Sequence, residues 1–335
     1  MTGFVGEVRL FAGSYVPAGW LPCDGQTLSV NQYSTLFSVL GVTWGGNGST
    51  TFRLPDLRGR TPLGAGTGIG LTPRALGETG GAEAVALTTA EMPAHTHVVR
   101  GSGAQATDGG PAGRVPAVTP DATPYRSGGT TWLAPQALDV TGQGQPHENR
   151  SPVLGLRFGI CYEGDYPTGS GDDGDTTLGE IRLMAGTRLP DGWLVCDGSL
   201  QQISGYDALY TILGTTYGGN GVQTFGVPDL RGRVPLHPAP GRPTGAQGGV
   251  EQVTLGVAQL PVHEHTARAS GSPATAGSPG GAVRAASATP RYAATPQVAG
   301  APTESTGGSV PHANMPPYAA MTFMIAARGV YPSRP

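Results

Sequence analysis

Charged and aromatic side chains are scarce in this chain, and lysine is absent altogether. Of 335 residues, 13% are charged and 7% are aromatic, and all 20 basic residues are arginine. The formal charge of −3 argues against a nucleic-acid-binding protein, which would normally be basic. The 56 glycines and 31 prolines exclude a coiled coil, a helical bundle and a helix-rich α/β enzyme.

Cysteine is also rare, and long apolar runs are missing. Cys23, Cys161 and Cys196 show no Cys-x-x-Cys spacing, which argues against a zinc ribbon or a thioredoxin-like site, so we expect small buried thiols. No apolar run approaches the roughly 20 residues of a membrane-spanning helix. The N-terminal MTGFVGEVRLFAG lacks the basic and apolar regions of a signal peptide. We therefore expect synthesis in the cytoplasm, no membrane insertion and, for work outside the cell, another export route.

The chain contains two copies of one unit, which we call repeat 1 and repeat 2. Four motifs recur in the same order: GWLPCDG (19–25) as GWLVCDG (192–198), TWGGNGSTTFRLPDLRGR (43–60) as TYGGNGVQTFGVPDLRGR (216–233), GGAEAVALTTAEMPAHTH (80–97) as GGVEQVTLGVAQLPVHEH (248–265), and PHENRSPVLGLRFGICYEGDYP (146–167) as PHANMPPYAAMTFMIAARGVYP (311–332). We predict one domain over 1–167, an acidic, Gly-rich linker over 168–177 and a second domain over 178–335.

Each repeat is predicted to be a small, mainly β unit with one short helix, a compact α+β domain. The alternating GEVRLFAG, which returns as GEIRLMAG, predicts a half-buried strand with Val8 and Leu10 on one face. Apolar residues at helical spacing follow, and a glycine stands directly after them in both repeats. We expect Ser29 and Ser204 to cap the N-termini of these helices.

Two low-complexity insertions interrupt the repeats, at 101–145 and 267–310. Both are dominated by Gly, Ala, Ser, Thr and Pro. Such segments bury too little apolar surface to offset their ordering entropy, so we expect them to be disordered or ordered by packing against another chain. Long loops of this kind often carry binding functions.

The sharpest chemical signal is a His-x-His motif in each repeat. Its four histidines are His95, His97, His263 and His265. In a strand, residues i and i+2 point the same way, so each pair offers two imidazoles to one centre. Three chains around a threefold axis would bring six imidazoles to one transition-metal ion. Alternatively, His147 or His312 would complete a three-His site open to water, which is a catalytic geometry. A hydrogen-bonded pair without metal is the third interpretation.

A Pro-Asp-Leu-Arg-Gly-Arg segment is the second polar motif that both repeats keep. Its charged residues are Asp56, Arg58, Arg60, Asp229, Arg231 and Arg233. A carboxylate beside two guanidinium groups would suit an anion clamp. We favour a structural loop in which the aspartate caps backbone amides and the arginines support carbonyl groups or a neighbouring subunit. The attached proline and glycine suit such a fixed backbone.

The order of these motifs resembles the phage tail collar domain, which occurs in short tail fibres of contractile phages and in microcystin-dependent proteins of bacteria. The resemblance rests on GWLPCDG, the Tyr-x-x-Leu-Phe helix, WGGNGSTTFRLPDLRGR, Gly-Gly-x-Glu, Pro-x-His-x-His and the closing PHANMPPYAAMTFMIAARGVYP. It covers both repeats outside the linker and the insertions. Repeat 1 departs in its closing motif, which lacks the Met-Pro-Pro-Tyr that repeat 2 has at 315–318.

The resemblance implies a non-enzymatic structural or host-binding protein of a virion or an extracellular particle, such as a contractile injection apparatus. It implies a homotrimer that contacts other tail or baseplate proteins, with six collar units in two stacked tiers. In tail-fibre relatives the His-x-His pairs of three chains hold an axial metal ion. That role would fall here on His95, His97, His263 and His265, with zinc or iron as the metal.

Two functions from other classes stay open. A metal-dependent hydrolase would use a three-His site in each repeat, but Glu264 lies between the histidines of repeat 2 where repeat 1 has Thr96, so no obvious general base is common to both repeats. A carbohydrate-binding adhesin unrelated to phage would take a cell-surface glycan as its ligand.

Overall fold

The computed structural model describes residues 3–95, 98–101, 104–107, 109, 115–117, 119, 145–167, 176–260, 269–273, 284–286, 292–293, 298–302 and 306–332. These residues form short strands and two short helices, which confirms the predicted, mainly β fold class. No helix in this part of the chain combines the length and the apolar character needed to cross a membrane.

The chain divides into two compact units, each of which draws on both repeats. The core unit comprises Met1–Val85, Glu148–Gln252 and Ala313–Pro335, and the insertion unit comprises Ala86–His147 and Val253–His312. The insertion unit therefore carries the low-complexity segments, and the core unit carries the opening motifs and the closing motifs from Glu148 and Ala313 onward. The boundaries drawn from the sequence, at 167 and 178, stay a prediction.

The strands of repeat 1 are short, and its helix is a single two-turn segment. They are β1 Glu7–Phe11, β2 Trp20–Pro22, β3 Thr27–Ser29, α1 Ser34–Leu40, β4 Thr51–Arg53, β5 Thr61–Gly64, β6 Thr79–Gly80, β7 Ala84–Val85, β8 Val98–Gly101, β9 Val115–Pro116, β10 His147–Glu148 and β11 Arg157–Cys161.

Repeat 2 follows the same order and ends on the longest of the described strands. Its elements are β12 Ile181–Met184, β13 Trp193–Val195, β14 Leu200–Gln202, α2 Asp207–Leu213, β15 Thr224–Gly226, β16 Gln252–Val253, β17 Ala269–Pro273, β18 Arg284–Ala286, β19 Tyr292–Ala293, β20 Val298–Pro302, β21 His312–Ala313 and β22 Tyr318–Ala326.

One sheet joins the two repeats within the core unit. Its order is β13-β22-β12-β1-β11-β2, and β5 and β6 also pair with β22, which makes eight described strands. The opening strands meet antiparallel, with Glu7 opposite Met184 and Val8 opposite Leu183. Strand β5 of repeat 1 runs parallel to the first half of β22, so the closing strand of repeat 2 carries a strand of repeat 1.

The helices end where the sequence predicts and begin elsewhere. Gly41 and Gly214 follow α1 and α2 with φ of 56° and 55°, values that favour glycine. The N-cap prediction is wrong, because Tyr33 and Tyr206 precede the helices. Ser29 is the last residue of β3, where it pairs with Thr51, and is thereby held in the strand. Ser204 lies in a short 3₁₀ turn before α2.

The predicted alternation in β1 holds for only one of its two apolar residues. Val8 is buried, whereas Leu10 is 52% exposed. Strand β12 covers β1 only at Glu7 and Val8, while β11 runs along it from Val8 onward. Leu10 therefore lies beyond the part of β1 that has neighbours on both sides.

One hydrophobic cluster combines residues of both repeats, and a second, around Leu209 and Phe225, lies wholly in repeat 2. The large buried members of the first cluster include Phe4, Leu36, Leu40, Phe52 and Ile160 from repeat 1, with Met184, Trp193, Met321 and Met324 from repeat 2. The rings of Phe4 and Trp193 meet edge to face at 6.2 Å. The indole Nε1 of Trp44 donates to the carbonyl oxygen of Ala185 at 2.9 Å. The repeats therefore share an interior.

Two strand pairs join segments in or beside the first insertion to the second insertion, while β17 and β18 pair within the second. Strand β9 in the first insertion is antiparallel to β19 in the second, and β8 is antiparallel to β20. The expectations from the sequence were disorder or packing against another chain. Neither included this arrangement, in which one insertion supplies backbone partners to the other within the same chain.

Candidate functional site: charged loops and histidines

Each Asp-x-Arg loop folds back on itself. Oδ1 of Asp56 accepts the Arg58 backbone N–H at 3.2 Å and Nε at 2.8 Å, while Oδ2 accepts Nη2 at 2.8 Å. Asp229 and Arg231 repeat these contacts at 3.2, 2.9 and 3.0 Å. The carboxylate thus caps one amide and holds one guanidinium in a two-point contact. The guanidinium group of Arg58 therefore binds within its own loop.

The second arginine of the loop differs between the repeats. Nη1 of Arg233 donates to the carbonyl oxygen of Arg231 at 3.2 Å, and Nη2 donates to Oε1 of Gln247 at 2.9 Å. Nε of Arg60 is buried and has no hydrogen-bond partner among the described residues. Arg233 therefore ties its loop to a later segment of repeat 2.

The arginine neighbours stabilise the charged form of both aspartates. The hydrogen bonds from Arg58 lower the pKa of Asp56, and those from Arg231 lower the pKa of Asp229. The side chain of Asp229 is 11% exposed and that of Asp56 is 39% exposed. The same pair is therefore more shielded from solvent in repeat 2.

Sequence reasoning missed a second polar cluster, which crosses between the repeats around Arg74. Nη1 of Arg74 donates to Glu78 at 2.9 Å and to the Tyr318 hydroxyl at 2.6 Å, and Nη2 donates to Glu251 at 3.1 Å. Glu251 also accepts the backbone N–H and the hydroxyl of Thr72, at 3.0 and 2.7 Å. Repeat 2 has Arg242 where repeat 1 has Arg74, and this repetition was the available signal.

Three of the four described histidines lie in two settings. Nδ1 of His95 lies 2.9 Å from the carbonyl oxygen of Pro93, and its backbone pairs with Thr306. The rings of His147 and His312 meet edge to face at 5.7 Å, which brings the closing motifs of the two repeats together. His312 is 5% exposed, and its Nδ1 has no hydrogen-bond partner among the described residues.

Only part of the predicted metal site lies among the described residues. His97, His263 and His265 lie outside the described residues. Within the described ranges, no three His, Cys, Asp or Glu side chains lie close enough to hold a metal ion. Both metal arrangements, with the axial ion and with His147 or His312 as an added ligand, therefore stay predictions.

Residues 6–62 and 179–235 each match the phage tail collar domain. This chain contains two tandem collar domains. The first match begins beside β1 and ends in β5, and the second begins just before β12 and ends after the Asp-x-Arg loop of repeat 2.

A curated relative matches a short part of the chain. Protein RhiB of Rhizobium leguminosarum bv. viciae is 44% identical over 66 residues, which make up 18% of this chain and 30% of that protein. The chain therefore spans about a third of the length of this relative.

Both collar domains contain a Glu-x-Arg pair beside a tryptophan, in which Glu7 is the buried member in repeat 1 and Arg182 the buried member in repeat 2. Nε of Arg9 contacts Glu7, whose side chain is fully buried, and Nε of Arg182 contacts Glu180 at 2.8 Å. The guanidinium of Arg9 lies 5.3 Å from the Trp20 ring centroid, and that of Arg182 lies 4.9 Å from that of Trp193. These contacts make each tryptophan part of the collar core.

Proposed function

We propose that this chain is a structural or surface-binding component of a phage tail or of a phage-derived contractile injection apparatus. One observation carries the proposal: the collar domain, a structural domain of tail fibres, occurs twice at equivalent positions. The Asp-x-Arg loops support a non-enzymatic role, because each carboxylate is bound by an arginine of its own loop. Tail or baseplate proteins are its partners in this proposal, and a cell-surface glycan is the candidate ligand.

The location of the chain in particles tests this proposal. Particles are purified from the source culture and labelled with a gold-conjugated antibody to the chain. We expect gold at one end of tail-like particles and loss of particle attachment to cells when the gene is deleted. Absence of the chain from purified particles would contradict the proposal.

We also propose that the active form is a homotrimer with zinc or iron held by the His-x-His pairs. Three copies of His95 and His97 would surround one ion, and three copies of His263 and His265 a second. The recurrence of the motif supports this proposal, since both repeats keep two imidazoles at a spacing that suits one centre. A metal that joins three strands would stabilise the oligomer by binding only the assembled form.

Paired alanine substitutions test the metal. In His263→Ala with His265→Ala, we expect a lower melting temperature of the oligomer, loss of part of the bound metal and unchanged far-ultraviolet circular dichroism. His237→Ala, at an exposed and unrepeated histidine, is the matched control. Unchanged metal content in the double variant would overturn the axial site and leave the tail-component proposal standing.

A further inference from the structure

One strand contact inside the chain has an unfilled counterpart in the other repeat. Strand β5 lies parallel to the start of β22, with Thr61 opposite Tyr318 and Leu63 opposite Ala320. Both partners are buried by this contact: Leu63 is 1% exposed, and Tyr318 is 4% exposed. A strand of repeat 1 thus fills an edge of repeat 2.

The segments that would form the equivalent contact, between a strand of repeat 2 and an edge of repeat 1, are exposed. Residues 234–236 follow the Arg-Gly-Arg of repeat 2 as β5 follows that of repeat 1, and residues 153–156 occupy the place of 318–321. We call them the free strand and the free edge. Leu236 in the free strand is 73% exposed, and Val153 and Leu154 in the free edge are 71% and 83% exposed. The chain therefore exposes the strand half of this contact at one site and the edge half at another.

The free edge borders an open groove. The groove has a volume of about 370 Å³, and its lining includes Leu57, Arg58, Gly155, Leu156 and Arg157. In repeat 2 the equivalent space is occupied by the end of β5. There the carbonyl oxygen of Gly64 accepts the N–H of Gly232 at 2.7 Å, and the Gly64 N–H donates to the carbonyl oxygen of Arg233 at 3.1 Å. The groove in repeat 1 is therefore open where Gly64 fills the equivalent space in repeat 2.

The charged residues beside the contact are likewise paired across the filled contact and exposed beside the two free segments. Across the filled contact, Arg74 of repeat 1 binds Glu251 of repeat 2 at 3.1 Å. The equivalent residues are Arg242 in repeat 2 and Glu83 in repeat 1, and both are exposed. Glu83 lies 3.7 Å from Arg150, a distance that leaves its carboxylate accessible to a second cation. A positive group beside the free strand thus matches a negative group beside the free edge.

We propose that the free strand of one copy adds to the free edge of a second copy of this chain. The register follows the internal contact, so Val234 lies opposite Val153 and Leu236 lies opposite Gly155, while Arg242 reaches Glu83. The inference stands on strand pairing and does not depend on the histidine-bound metal. Because the two surfaces differ, copies join head to tail and close as a ring when the rotation permits. Three copies would then place six collar domains in one ring instead of two separate tiers.

The sequence also fixes where the new pairing ends. His237 stands where β5 has Gly64, and a Cβ at Gly64 would lie 1.7 Å from the carbonyl oxygen of Leu230. The next position, Pro238, lacks the N–H that Ala65 donates to the carbonyl oxygen of Met321 at 2.8 Å. The contact between copies therefore stops at Leu236 and is shorter than the internal one.

The oligomeric state of the full chain in excess EDTA tests the proposal without the metal. Light scattering at micromolar concentration should give a multiple of the subunit mass for the wild type and one subunit mass for Leu236→Asp. Val222→Asp is the matched control, because Val222 is 81% exposed and lies outside both segments. A wild type of one subunit mass, or a Leu236→Asp variant that keeps the wild-type mass, would overturn the proposal.

A cysteine cross-link tests the register independently of any loss of association. We expect Val153→Cys with Val234→Cys to form disulfide-linked oligomers under mild oxidation, and Val153→Cys with Val222→Cys to form far fewer. The three native cysteines are buried and do not compete. Equal cross-linking of the two double variants, or cross-links only within one chain, would contradict the proposed register.

Discussion

The aspartates of the two Asp-x-Arg loops make the same contacts but differ in solvent exposure. Asp229 is the more buried of the two, and its pKa is lowered by the hydrogen bonds from Arg231. A carboxyl group with a lowered pKa in the folded state stabilises the fold above its unfolded pKa of about 3.9. That stabilisation disappears as the pH falls through the lower, folded-state pKa.

Asp229→Asn should therefore cost stability at neutral pH and little in acid. We expect the free energy of unfolding to fall by about 1 kcal/mol at pH 7. The difference from wild type should shrink as the pH falls below about 4, the pKa of the unfolded-state aspartate, towards the lower pKa of the folded state. Urea unfolding at several pH values measures this, with Asp56→Asn as the matched, more exposed control that loses less. A difference that is constant across the pH range would contradict the assigned role of the charge.

The three thiols should be unreactive in the folded protein. Burial raises the pKa of Cys161 to about 11 and that of Cys196 to about 12, and it raises the pKa of Cys23 further. Because the thiolate is the reactive form, iodoacetamide at pH 8 should label none of them in the native state and all of them in guanidinium chloride. Mass spectrometry counts the adducts, and rapid native labelling would show that a thiol is accessible.

At the scale of single elements, sequence patterns predict where a helix or strand lies better than they predict which distant segment it pairs with. The apolar spacing in Leu36 and Leu40 and the glycine after it predicted the helix and its end, because a helix is held by contacts within a few residues. The start of the helix was predicted wrongly, since Ser29 is held in a strand by a partner more than 20 residues away along the chain.

The pairing between repeats could not be read from the sequence. The exposed or buried state of an apolar strand residue depends on a partner that lies far along the chain, as the contrast between Leu63 and Leu236 shows. The Asp-x-Arg motif could be found because its contacts are two residues apart. The cluster around Arg74 joins residues more than 170 positions apart, so repetition of the arginine and the glutamate was the only trace of it.

The closing strand β22 should depend on the hydroxyl of Tyr318. This hydroxyl donates to Oε1 of Glu78 at 2.9 Å and accepts from Arg74 at 2.6 Å. Tyr318→Phe removes both hydrogen bonds, and we expect a loss of about 1 to 2 kcal/mol in urea unfolding. Tyr331→Phe is the control, because Tyr331 is 55% exposed and its loss should stay below about 0.5 kcal/mol. Equal losses would mean that the cluster adds no stability.

At the scale of the whole molecule, the shared interior should make the core unit unfold in one step. Phe4→Ala opens a cavity against Trp193 of the other repeat, and we expect a loss of about 3 to 5 kcal/mol. Calorimetry should show the main transition shifting as a whole, whereas Val222→Ala, at an exposed site, should leave it in place. Two transitions, of which Phe4→Ala moves only one, would show that the repeats fold separately.

Duplication also changes what one chain can do in an assembly. A single collar domain whose partner strand lies on a second polypeptide would expose both its strand and its edge. This chain instead makes one such contact internally, between β5 and β22, and keeps one strand and one edge free. In the proposed assembly, its two collar domains form one pre-assembled segment of a larger ring.

The mass of the native full-length chain in solution tests the account most directly. Light scattering or native mass spectrometry at micromolar concentration, without denaturant, should give three subunits, and the same mass should persist after chelation, with lower thermal stability. A single subunit mass over the whole concentration range, with and without added zinc or iron, would contradict it.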